Sequence, residues 1–475
     1  MKVLYCASEA LPFMASGGLG DVAGSLPQAL RQLLVGCRVV MPLYDEIPQA
    51  MKDEMRFITS LSVPVSWRRQ YCGVFEARYK GVVYYLLDNQ YYFKRKGMYG
   101  HYDDAERFAF FSRAALEMLP YIDFKPDIIH SNDWHTAMVP VYYSLFYSNY
   151  DWYKGIKTVF TIHNIQYQGQ YGMELIEEIL GLPDYNTNIV EYDGCVNLMK
   201  GAIETANMVT TVSPSYAEEI KDPWFAFGLD PIVRDRAWKF RGVLNGIDVD
   251  NYNSETDPNI PVNFTVEDLS GKAACKRALQ ERLCLELRPE VPLVGMVTRM
   301  VAPKGLDLVK EVFEEMMNVE DIQFVILGSG DWQYESFFKA MQDKYPGRVC
   351  SCFGFVPELA RKIYAASDIY LMPSRSEPCG LAQMISLRYG TIPIVRRTGG
   401  LGDSIQDSGD GLGNGFVFNS YDAQDMYNAL KRAIAGYWNA EGGWQILVKR
   451  AMKSDNSWEK SAKEYLKLYN EVLSQ

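Results

Sequence analysis

Apolar positions along the chain follow two spacings, one typical of strands and one typical of helices. Short apolar runs at residues 3–7 and 369–372 predict buried strands, whereas the apolar spacing within residues 381–389 predicts a helix. This strand–helix alternation runs to about residue 212 and restarts at about residue 293. Serial alternation is typical of α/β folds with parallel sheets, so the sequence predicts two such sheets.

Turn-forming residues between the apolar runs indicate where the strands and the domains end. Runs at residues 58–65, 74–79 and 82–87 read as strands joined by turns and predict a meander within the first domain. Asn245 and Gly246 form a turn signal that precedes a polar stretch. The sequence therefore predicts a first domain over residues 1–242 and a second over residues 243–456, followed by an amphipathic helix within residues 457–475.

One short string occurs twice. Gly-Gly-Leu-Gly-Asp stands at residues 17–21 and again at 399–403, each time between an apolar run and a helical segment. Such a loop lets backbone N–H groups approach an anionic ligand at a helix start. It is not G-x-G-x-x-G, so a dinucleotide site is not indicated. The simplest interpretation is that the chain has two related domains whose glycine loops face one cleft. The alternative is that each loop is only a tight turn.

Composition excludes several classes of function. The chain has 475 residues and a net charge of -11, with no dense block of Lys and Arg, which argues against nucleic acid and anionic membranes as partners. No apolar run approaches the roughly 18 residues of a membrane span, and no signal-peptide pattern is present, so we expect a cytoplasmic protein.

Cysteines and histidines indicate no metal site. The nine cysteines include no C-x-x-C, a pattern that predicts buried free thiols. Cys350 and Cys352 alternate within a strand-like run, and we expect both in the core. The four histidines lack the second ligand cluster that zinc would need.

The strongest chemical signal lies in two strand-to-helix loops of the second half. Glu377 follows the strand at residues 369–372, and ligands of parallel sheets bind outside the carboxyl ends of strands. A carboxylate beside a helix start suits a sugar that carries a phosphate. Arg299 and Lys304, five residues apart after another strand, suit a diphosphate. Taken alone, these two residues would be interpreted as solvated loop cations.

Polar and aromatic residues also follow strands of the first half. His163 and Asn164 end one strand, and the residues after them suit sugar hydroxyls and ring faces. The preceding strand is followed in the same manner by Asp133, Trp134 and His135. A tyrosine-rich segment that includes Tyr99 offers a surface for stacking on glucan rings. Structural histidines and core aromatics are the alternative interpretation. The acceptor-site candidates from these segments are Asp133, Trp134, His135 and Tyr99.

The string S-R-S-E-P-C-G-L at residues 374–381, with R-R-T-G-G-L-G-D at 396–403, resembles the bacterial glycogen synthase and plant starch synthase family. The resemblance extends from Lys2 to about Leu473. It implies the GT-B fold, in which two Rossmann-like domains with parallel sheets face a central cleft and the final helix crosses back onto the first domain. It also implies retaining transfer of glucose from ADP-glucose to the non-reducing-end 4-hydroxyl of glycogen or another α-1,4-glucan, with no metal or other cofactor.

The resemblance further implies residue roles. The first domain would form the acceptor side and the second domain the nucleotide-sugar side. The implied catalytic residues are Glu377, His163, Arg299 and Lys304. The implied donor contacts are Gly17, Gly18, Asp21, Asn164, Asn245, Phe355, Cys379, Gly380 and Leu381, and Phe355 occupies the position of an aromatic residue that packs on the nucleobase.

One position departs from the family pattern. Ala15 stands where the family has a lysine that reaches a donor phosphate. A glucan-binding protein with weak or lost transferase activity is therefore the alternative, although retention of Arg299, Lys304 and Glu377 argues against it. A third interpretation is an oxidoreductase built from two Rossmann domains, and the missing dinucleotide fingerprint argues against that.

Overall fold

The structure is a computed structural model that describes residues 1–439 and 442–475. Its strands are β1 (Lys2–Cys6), β2 (Gly36–Pro42), β3 (Arg56–Val65), β4 (Arg68–Tyr79), β5 (Val82–Asp88), β6 (Ile128–Asn132), β7 (Lys157–Ile162), β8 (Gln170–Tyr171), β9 (Glu191–Tyr192), β10 (Cys195–Asn197), β11 (Met208–Thr211), β12 (Phe240–Gly242), β13 (Leu293–Val297), β14 (Gln323–Gly328), β15 (Val349–Phe353), β16 (Ile369–Met372), β17 (Ile392–Arg396) and β18 (Phe416–Phe418). Its α-helices are α1 (Gly18–Gln32), α2 (Gln49–Asp53), α3 (Gln90–Phe93), α4 (Asp104–Glu117), α5 (Met138–Tyr142), α6 (Leu198–Thr205), α7 (Pro214–Glu219), α8 (Pro223–Ala226), α9 (Asp230–Asp235), α10 (Ser270–Arg282), α11 (Leu306–Val319), α12 (Trp332–Lys344), α13 (Pro357–Ala366), α14 (Ala382–Arg388), α15 (Gly399–Ser404), α16 (Ala423–Asn439), α17 (Gly443–Met452) and α18 (Trp458–Leu473).

The chain divides into two compact units. Unit 1 comprises Met1–Gly246 with Trp458–Gln475, and unit 2 comprises Ile247–Ser457. Unit 1 is built on a nine-stranded sheet in the order β12-β11-β7-β6-β1-β2-β5-β4-β3. Neighbouring strands run parallel from β12 to β5, and β4 and β3 then continue the sheet antiparallel. The predicted meander is therefore an antiparallel extension of the parallel sheet.

Helix α18 belongs to unit 1 because its apolar stripe is buried there. Tyr465, Tyr469 and Val472 are all inaccessible to solvent. The Tyr469 hydroxyl lies 2.7 Å from His130 Nδ1 on β6, and His130 Nε2 lies 2.6 Å from Thr161 Oγ1 on β7. Burial lowers the pKa of His130 to about 3, so this histidine is a neutral link between the sheet and the last helix.

Unit 2 contains a six-stranded sheet in the order β15-β14-β13-β16-β17-β18, in which every neighbouring pair is parallel. Counted along the chain this is the order 3-2-1-4-5-6 of a doubly wound nucleotide-binding sheet. The central strands are buried on both faces, as the adjacent β14 residues Phe324 and Val325 show, because helices cover a parallel sheet on both sides. Strand order reverses between β13 and β16, and ligands bind such sheets at that reversal.

The cysteine pair Cys350 and Cys352 differs from its prediction. Both residues lie on one strand, β15, as their alternation predicts. They are half-buried instead of lying in the core, because β15 is the edge strand of its sheet. Over the described ranges 1–439 and 442–475, none of the helices combines the length and the apolar composition that crossing a membrane requires.

Candidate active site

The carboxyl ends of β13 and β16 bring Lys304 and Glu377 together. Lys304 Nζ lies 2.5 Å from Glu377 Oε2, and the Ser374 hydroxyl donates to the same oxygen at 3.2 Å. The two charged side chains are only 18% and 11% exposed. Their attraction is therefore screened less than that of a surface ion pair. A cation and a carboxylate thus stand together at the point where the strand order reverses.

The loops that carry this pair approach each other very closely. Gly305 adopts the left-handed conformation (φ 73°), and a Cβ added there would collide with the carbonyl oxygen of Pro373. The Arg375 N–H donates to the Pro303 carbonyl at 2.9 Å. Arg396 Nε donates to the Ser374 carbonyl at 3.0 Å. Backbone contacts and one arginine therefore fix the two loops before any substrate binds.

A pocket of about 440 Å³ adjoins these loops within unit 2. It is lined by Arg299 after β13, by Gly328 at the end of β14 and by Phe355 after β15. The Phe355 side chain is 93% exposed, so it contributes little to the core. The Arg299 side chain is also exposed. An open aromatic face beside a guanidinium group suits a planar ring that carries an anion.

The second glycine loop supports the Glu377 loop. Gly399 has a φ of 42°, and a Cβ added there would collide with the carbonyl oxygen of Glu377. The Gly400 N–H donates to that same oxygen at 3.2 Å, and a Cβ at Gly400 would collide with Cys379. Glycine is needed here because one backbone packs directly against another.

Gln383 holds the segment after Glu377. Its buried amide nitrogen donates to the carbonyl oxygens of Cys379 and Gly380, at 3.1 and 3.0 Å. Gly380 adopts the left-handed conformation (φ 74°), and Leu381 precedes α14 as its N-cap residue. The structure therefore brings these three predicted donor contacts into one fixed turn beside Glu377.

In unit 1, a buried glutamate holds the first glycine loop. Glu9 Oε2 accepts hydrogen bonds of 2.7 Å from both the N–H and the hydroxyl of Ser16, and Glu9 Oε1 accepts one of 3.1 Å from the Gly20 N–H. Burial raises the pKa of Glu9, and these hydrogen bonds oppose the rise. Gly17 and Gly18 between the two attachment points are exposed and have open space around them. Their backbone is therefore accessible to a ligand.

Ala15 and Asp21 stand at the two ends of this loop. Asp21 lies in the first turn of α1, where the helix dipole favours a carboxylate. Ala15 is exposed, and a Cβ added at Gly20 would collide with its methyl group. The loop thus needs glycine at position 20, while position 15 has an open side.

Asn132 determines which ring nitrogen of His163 carries the proton. Asn132 Nδ2 donates to the Cys6 carbonyl at 3.0 Å, so Asn132 Oδ1 is an acceptor. His163 Nε2 lies 2.9 Å from that oxygen and must therefore be the donor. Burial lowers the pKa of His163 to about 3. The neutral ring consequently has Nδ1 as a hydrogen-bond acceptor.

Asp133 turns toward the loop that contains His163. Its carboxylate accepts the His163 N–H at 2.7 Å and the Asn164 N–H as well. Burial raises the pKa of Asp133 to about 7, and these backbone bonds oppose the rise. Asp133 also has a φ of 55°, a conformation that is uncommon for a non-glycine residue. In the structure, this acceptor-site candidate holds the loop with the catalytic candidate His163 and the donor-site candidate Asn164.

Trp134, His135 and Tyr99 form one aromatic cluster. The His135 ring centroid lies 4.2 Å from that of Trp134 and 4.5 Å from that of Tyr99. The Tyr99 hydroxyl contacts Ser8 Oγ at 2.8 Å. Burial lowers the pKa of His135 to about 3, so the cluster carries no charge from it at neutral pH. The structure therefore brings these three acceptor-site candidates together, whereas Asp133 beside them faces the other loop.

Two asparagines complete the set of predicted residues. Asn164 Oδ1 accepts the Gln166 N–H at 3.0 Å and closes a short turn. Asn245 is buried, and its Oδ1 has no hydrogen-bond partner among the described residues. An unpaired buried acceptor of this kind is one that a ligand hydroxyl can satisfy.

Comparison with known proteins gives a match over the whole chain. A family model described as the starch synthase catalytic domain matches residues 2–235, and one described as glycosyl transferases group 1 matches residues 283–441. A glycogen synthase of Geobacillus thermodenitrificans is 49% identical, with 100% of this chain and 98% of the relative covered. One of Alkaliphilus metalliredigens is 50% identical, with 99% and 100% covered. The chain belongs to the glycogen and starch synthase family.

A solved structure agrees with this assignment. The catalytic domain of starch synthase IV from Arabidopsis thaliana, bound to ADP and acarbose, superimposes with a TM-score of 0.90 at 35% identity, covering 100% of this chain and 99% of that one. The predicted GT-B fold is confirmed. The protein is a glucan synthase, a glycosyltransferase, and a glucan-binding protein without transferase activity is not favoured.

The sequence pattern did not single out Glu9, Asn132 or Gln383. Each holds a segment that carries candidate residues, and the Asn132–His163 contact joins residues 31 positions apart. A signal for Glu9 existed, because it lies in the loop that follows the buried strand β1, the same position after a strand that drew attention to Glu377. Among residues 1–439 and 442–475, no group of three or more His, Cys, Asp or Glu side chains is arranged to hold a metal ion.

Proposed function

We propose that the protein transfers glucose from ADP-glucose to the non-reducing-end 4-hydroxyl of glycogen or another α-1,4-glucan in the cytoplasm, with retention of configuration and release of ADP. The observation that carries the proposal is the 2.5 Å contact between Lys304 and Glu377 beside the Phe355 pocket. The related starch synthase IV domain was solved with ADP and acarbose, which supports a nucleotide sugar and a glucan as the two substrates.

The nucleotide-sugar side is assigned to residues 243–456. Phe355 packs on the adenine, and Arg299 and Lys304 bind the diphosphate, because an open ring and two cations line or adjoin one pocket. Glu377 binds the donor glucose next to the reacting carbon. The fixed turn of Cys379, Gly380 and Leu381 adds backbone contacts to the donor.

The acceptor side is assigned to residues 1–242 with the helix at 457–475. Trp134, His135 and Tyr99 support this assignment because they lie in one aromatic cluster, and aromatic side chains pack well on the apolar faces of pyranose rings. Asp133 belongs to the same side and acts by holding the neighbouring loop. Donor contacts from this domain are Gly17, Gly18, Asp21, His163, Asn164 and Asn245.

The chemistry follows from where charge develops. As the bond to ADP breaks, the glucosyl group becomes cationic and the diphosphate gains negative charge. Arg299 and Lys304 stabilise that leaving anion, and groups already in place for this purpose usually make the largest catalytic contribution. His163 is neutral, so it accepts a hydrogen bond from a sugar hydroxyl through Nδ1 and does not supply a proton.

The test is a donor comparison. Purified protein is incubated with glycogen and either ADP-glucose or UDP-glucose, and the released nucleotide diphosphate and the chain extension are both measured. We expect a higher kcat/KM with ADP-glucose, α-linked product and no loss of activity on chelation with EDTA. A higher kcat/KM with UDP-glucose would refute the donor assignment. Nucleotide release without chain extension would refute the transfer.

A further inference from the structure

Two thiols face each other on the edge strand of unit 2. Cys350 Sγ and Cys352 Sγ on β15 are 3.8 Å apart, because alternate residues of a strand point to the same side. Both side chains are half-buried, so small molecules can reach them. β15 is paired with β14 on one side only, and an edge strand can bend more easily than a central one.

The surroundings favour a reactive thiolate at this pair. One thiol donates to the sulfur of the other. With Cys350 as the donor, this hydrogen bond lowers the pKa of Cys352 to about 7, with a smaller contribution from the positive charge of Arg282 and against the opposing effect of burial. The same bond raises the pKa of Cys350. The thiolate is the form that reacts with peroxides, so the first oxidation is expected at Cys352.

The strand with this pair leads directly into the pocket with Phe355. β15 ends at Phe353, and the next residues, Gly354 and Phe355, line the pocket. The Gly354 N–H donates to the Gly328 carbonyl at 3.1 Å, and Gly328 lines the pocket too. A change in the course of the strand at residues 350–352 would therefore move the pocket wall.

Arg282 provides a second connection. It lies near Cys352 and donates to Glu358 Oε1 at 3.2 Å. Glu358 is in the first turn of α13, whose first residue, Pro357, lines the pocket. Loss of the thiolate would therefore change the charge beside the guanidinium that also binds Glu358.

We propose that Cys350 and Cys352 form a reversible dithiol–disulfide site for peroxides and that the disulfide weakens nucleotide binding at the Phe355 pocket. The second half of this proposal rests on the proposed function. The Cys352 thiolate attacks a peroxide oxygen and the O–O bond breaks. The products are a sulfenic acid and an alkoxide or hydroxide ion, which takes a proton from the solvent to become an alcohol or water. The Cys350 thiol then attacks the sulfenic sulfur. The S–S bond forms, the S–O bond breaks, and hydroxide leaves with the thiol proton as water. A dithiol reductant reverses the reaction.

Closing this disulfide requires the strand to deform. Alternate residues of an extended strand are about 6.6 Å apart, near the upper limit of the Cα–Cα range of about 4.4–6.8 Å found for disulfides. β15 must therefore bend or shorten between residues 350 and 352. Such deformation makes a disulfide easier to reduce, which suits reversible use in a reducing compartment.

The experiment compares three states of the full-length protein: reduced, treated with hydrogen peroxide, and treated and then reduced with dithiothreitol. Peptide mass spectrometry identifies the cross-link, and calorimetric titration with ADP gives Kd. The variants are Cys350→Ser and Cys352→Ser, with Cys284→Ser at an exposed thiol as the matched control. Thermal unfolding confirms that each variant is folded.

We expect a Cys350–Cys352 cross-link in the wild type and in the Cys284→Ser control. With it, the Kd for ADP should rise about fivefold or more and should return on reduction. Cys350→Ser and Cys352→Ser should bind ADP like the reduced wild type before and after peroxide.

Four results would overturn the proposal. They are no cross-link in the wild type, a cross-link to Cys284 instead, a cross-link with unchanged Kd, and an equal loss of binding in Cys350→Ser, which retains Cys379. If the reduced protein does not bind ADP at all, the proposed function fails, and the cross-link still reports on the dithiol.

Discussion

Lys304 Nζ and Glu377 Oε2 lie 2.5 Å apart although 73 positions separate the two residues in the sequence. The contact exists because β13 and β16 are neighbours where the strand order reverses. In this state each charge neutralises the other while both side chains are mostly buried. Removing either charge therefore leaves the other without its partner. A substitution at one of these residues consequently also changes the environment of the other.

Glu377→Gln is the sharper probe of the carboxylate, because it keeps the size of the side chain and removes only its charge. We expect kcat to fall about 10²–10³-fold, the loss typical of removing one preorganised catalytic contact. Thermal stability should fall in Glu377→Gln, because Lys304 is left as a mostly buried charge without its anion. It should fall further in Glu377→Ala, which also removes the contacts to Lys304 and Ser374. Near-normal turnover would exclude a catalytic role for this residue.

Lys304→Met should lose stabilisation of the leaving ADP, about 2–4 kcal/mol by the same reasoning. Stability should fall too, because Glu377 is left as a mostly buried charge without its cation. The matched control is Lys339→Met, which removes an exposed lysine from α12. Equal kcat values for the two variants would contradict the assignment of Lys304.

Phe355→Ala should weaken ADP binding and leave stability unchanged, because the ring is 93% exposed. Stacking of an aromatic side chain on a base contributes about 1–3 kcal/mol, so Kd should rise roughly fivefold to a hundredfold. Phe353→Ala is the control: that ring is also exposed, but it does not line the pocket. If both variants bind ADP like the wild type, the base does not pack on Phe355.

The helices and strands of unit 2 could be predicted because the spacing of apolar residues reflects which face of each element packs against the core. The strand predicted at residues 369–372 is observed with those bounds, and the helix predicted within residues 381–389 is observed as α14, Ala382–Arg388. The core placement of Cys350 and Cys352 was wrong because periodicity reports which face a residue occupies and not whether its strand lies at an edge. Edge position is set by strand order, which is a property of the whole sheet.

For the candidate site, loop position could be predicted and side-chain direction could not. Glu377 and Lys304 were placed at one sheet edge by the strand-to-helix pattern, and the structure brings them into contact. Asp133 looked like an acceptor contact, yet its carboxylate faces the His163 loop. That direction depends on a φ of 55°, which no local pattern indicates. The roles of all these residues remain predictions until they are tested.

Asp133 should make stability depend on pH. Burial raises its pKa from 3.8 to about 7 in the folded protein. Between these values the folded state holds a proton that the unfolded state has lost, so this group's contribution is fully present below about pH 4. It falls as pH rises through about 7, with a slope of at most about 1.4 kcal/mol per pH unit.

Asp133→Asn should remove this slope, and asparagine tolerates a positive φ. The free energy of unfolding is measured with denaturant from pH 5 to pH 8 for both proteins. Other titrating groups are common to the two, so the difference between the curves reports Asp133. Parallel curves would show that Asp133 titrates normally.

Glu9→Gln should loosen the first glycine loop. The carboxylate accepts three hydrogen bonds from the loop. In glutamine an NH2 group replaces one of the two oxygens, and this group cannot accept a hydrogen bond from the loop donor that it faces. Leaving one buried N–H unpaired costs about 1–3 kcal/mol. We expect lower thermal stability and a higher KM for the donor with a smaller change in kcat. An unchanged KM would mean that this loop does not contact the donor.

Ala15 stands where the resemblance to the family implies a lysine that reaches a donor phosphate. A methyl group cannot bind phosphate, and the neutral groups nearby are the Ser16 hydroxyl and the backbone of Gly17 and Gly18. The Ser16 hydroxyl and N–H both donate to Glu9, so this side chain is less able to compensate than its position suggests. A hydrogen bond to a charged group contributes about 1.5–3 kcal/mol, against about 0.5–1.5 for a neutral one. Ala15→Lys should therefore lower the donor KM about tenfold, since Ala15 is exposed and leaves room for a longer side chain.

Ala15→Met is the control for length without charge and should leave the KM near its original value. An equal fall in both variants would mean that side-chain packing and not charge is responsible, and an unchanged or raised KM in Ala15→Lys, with the fold intact, would mean that the loop does not approach the phosphates.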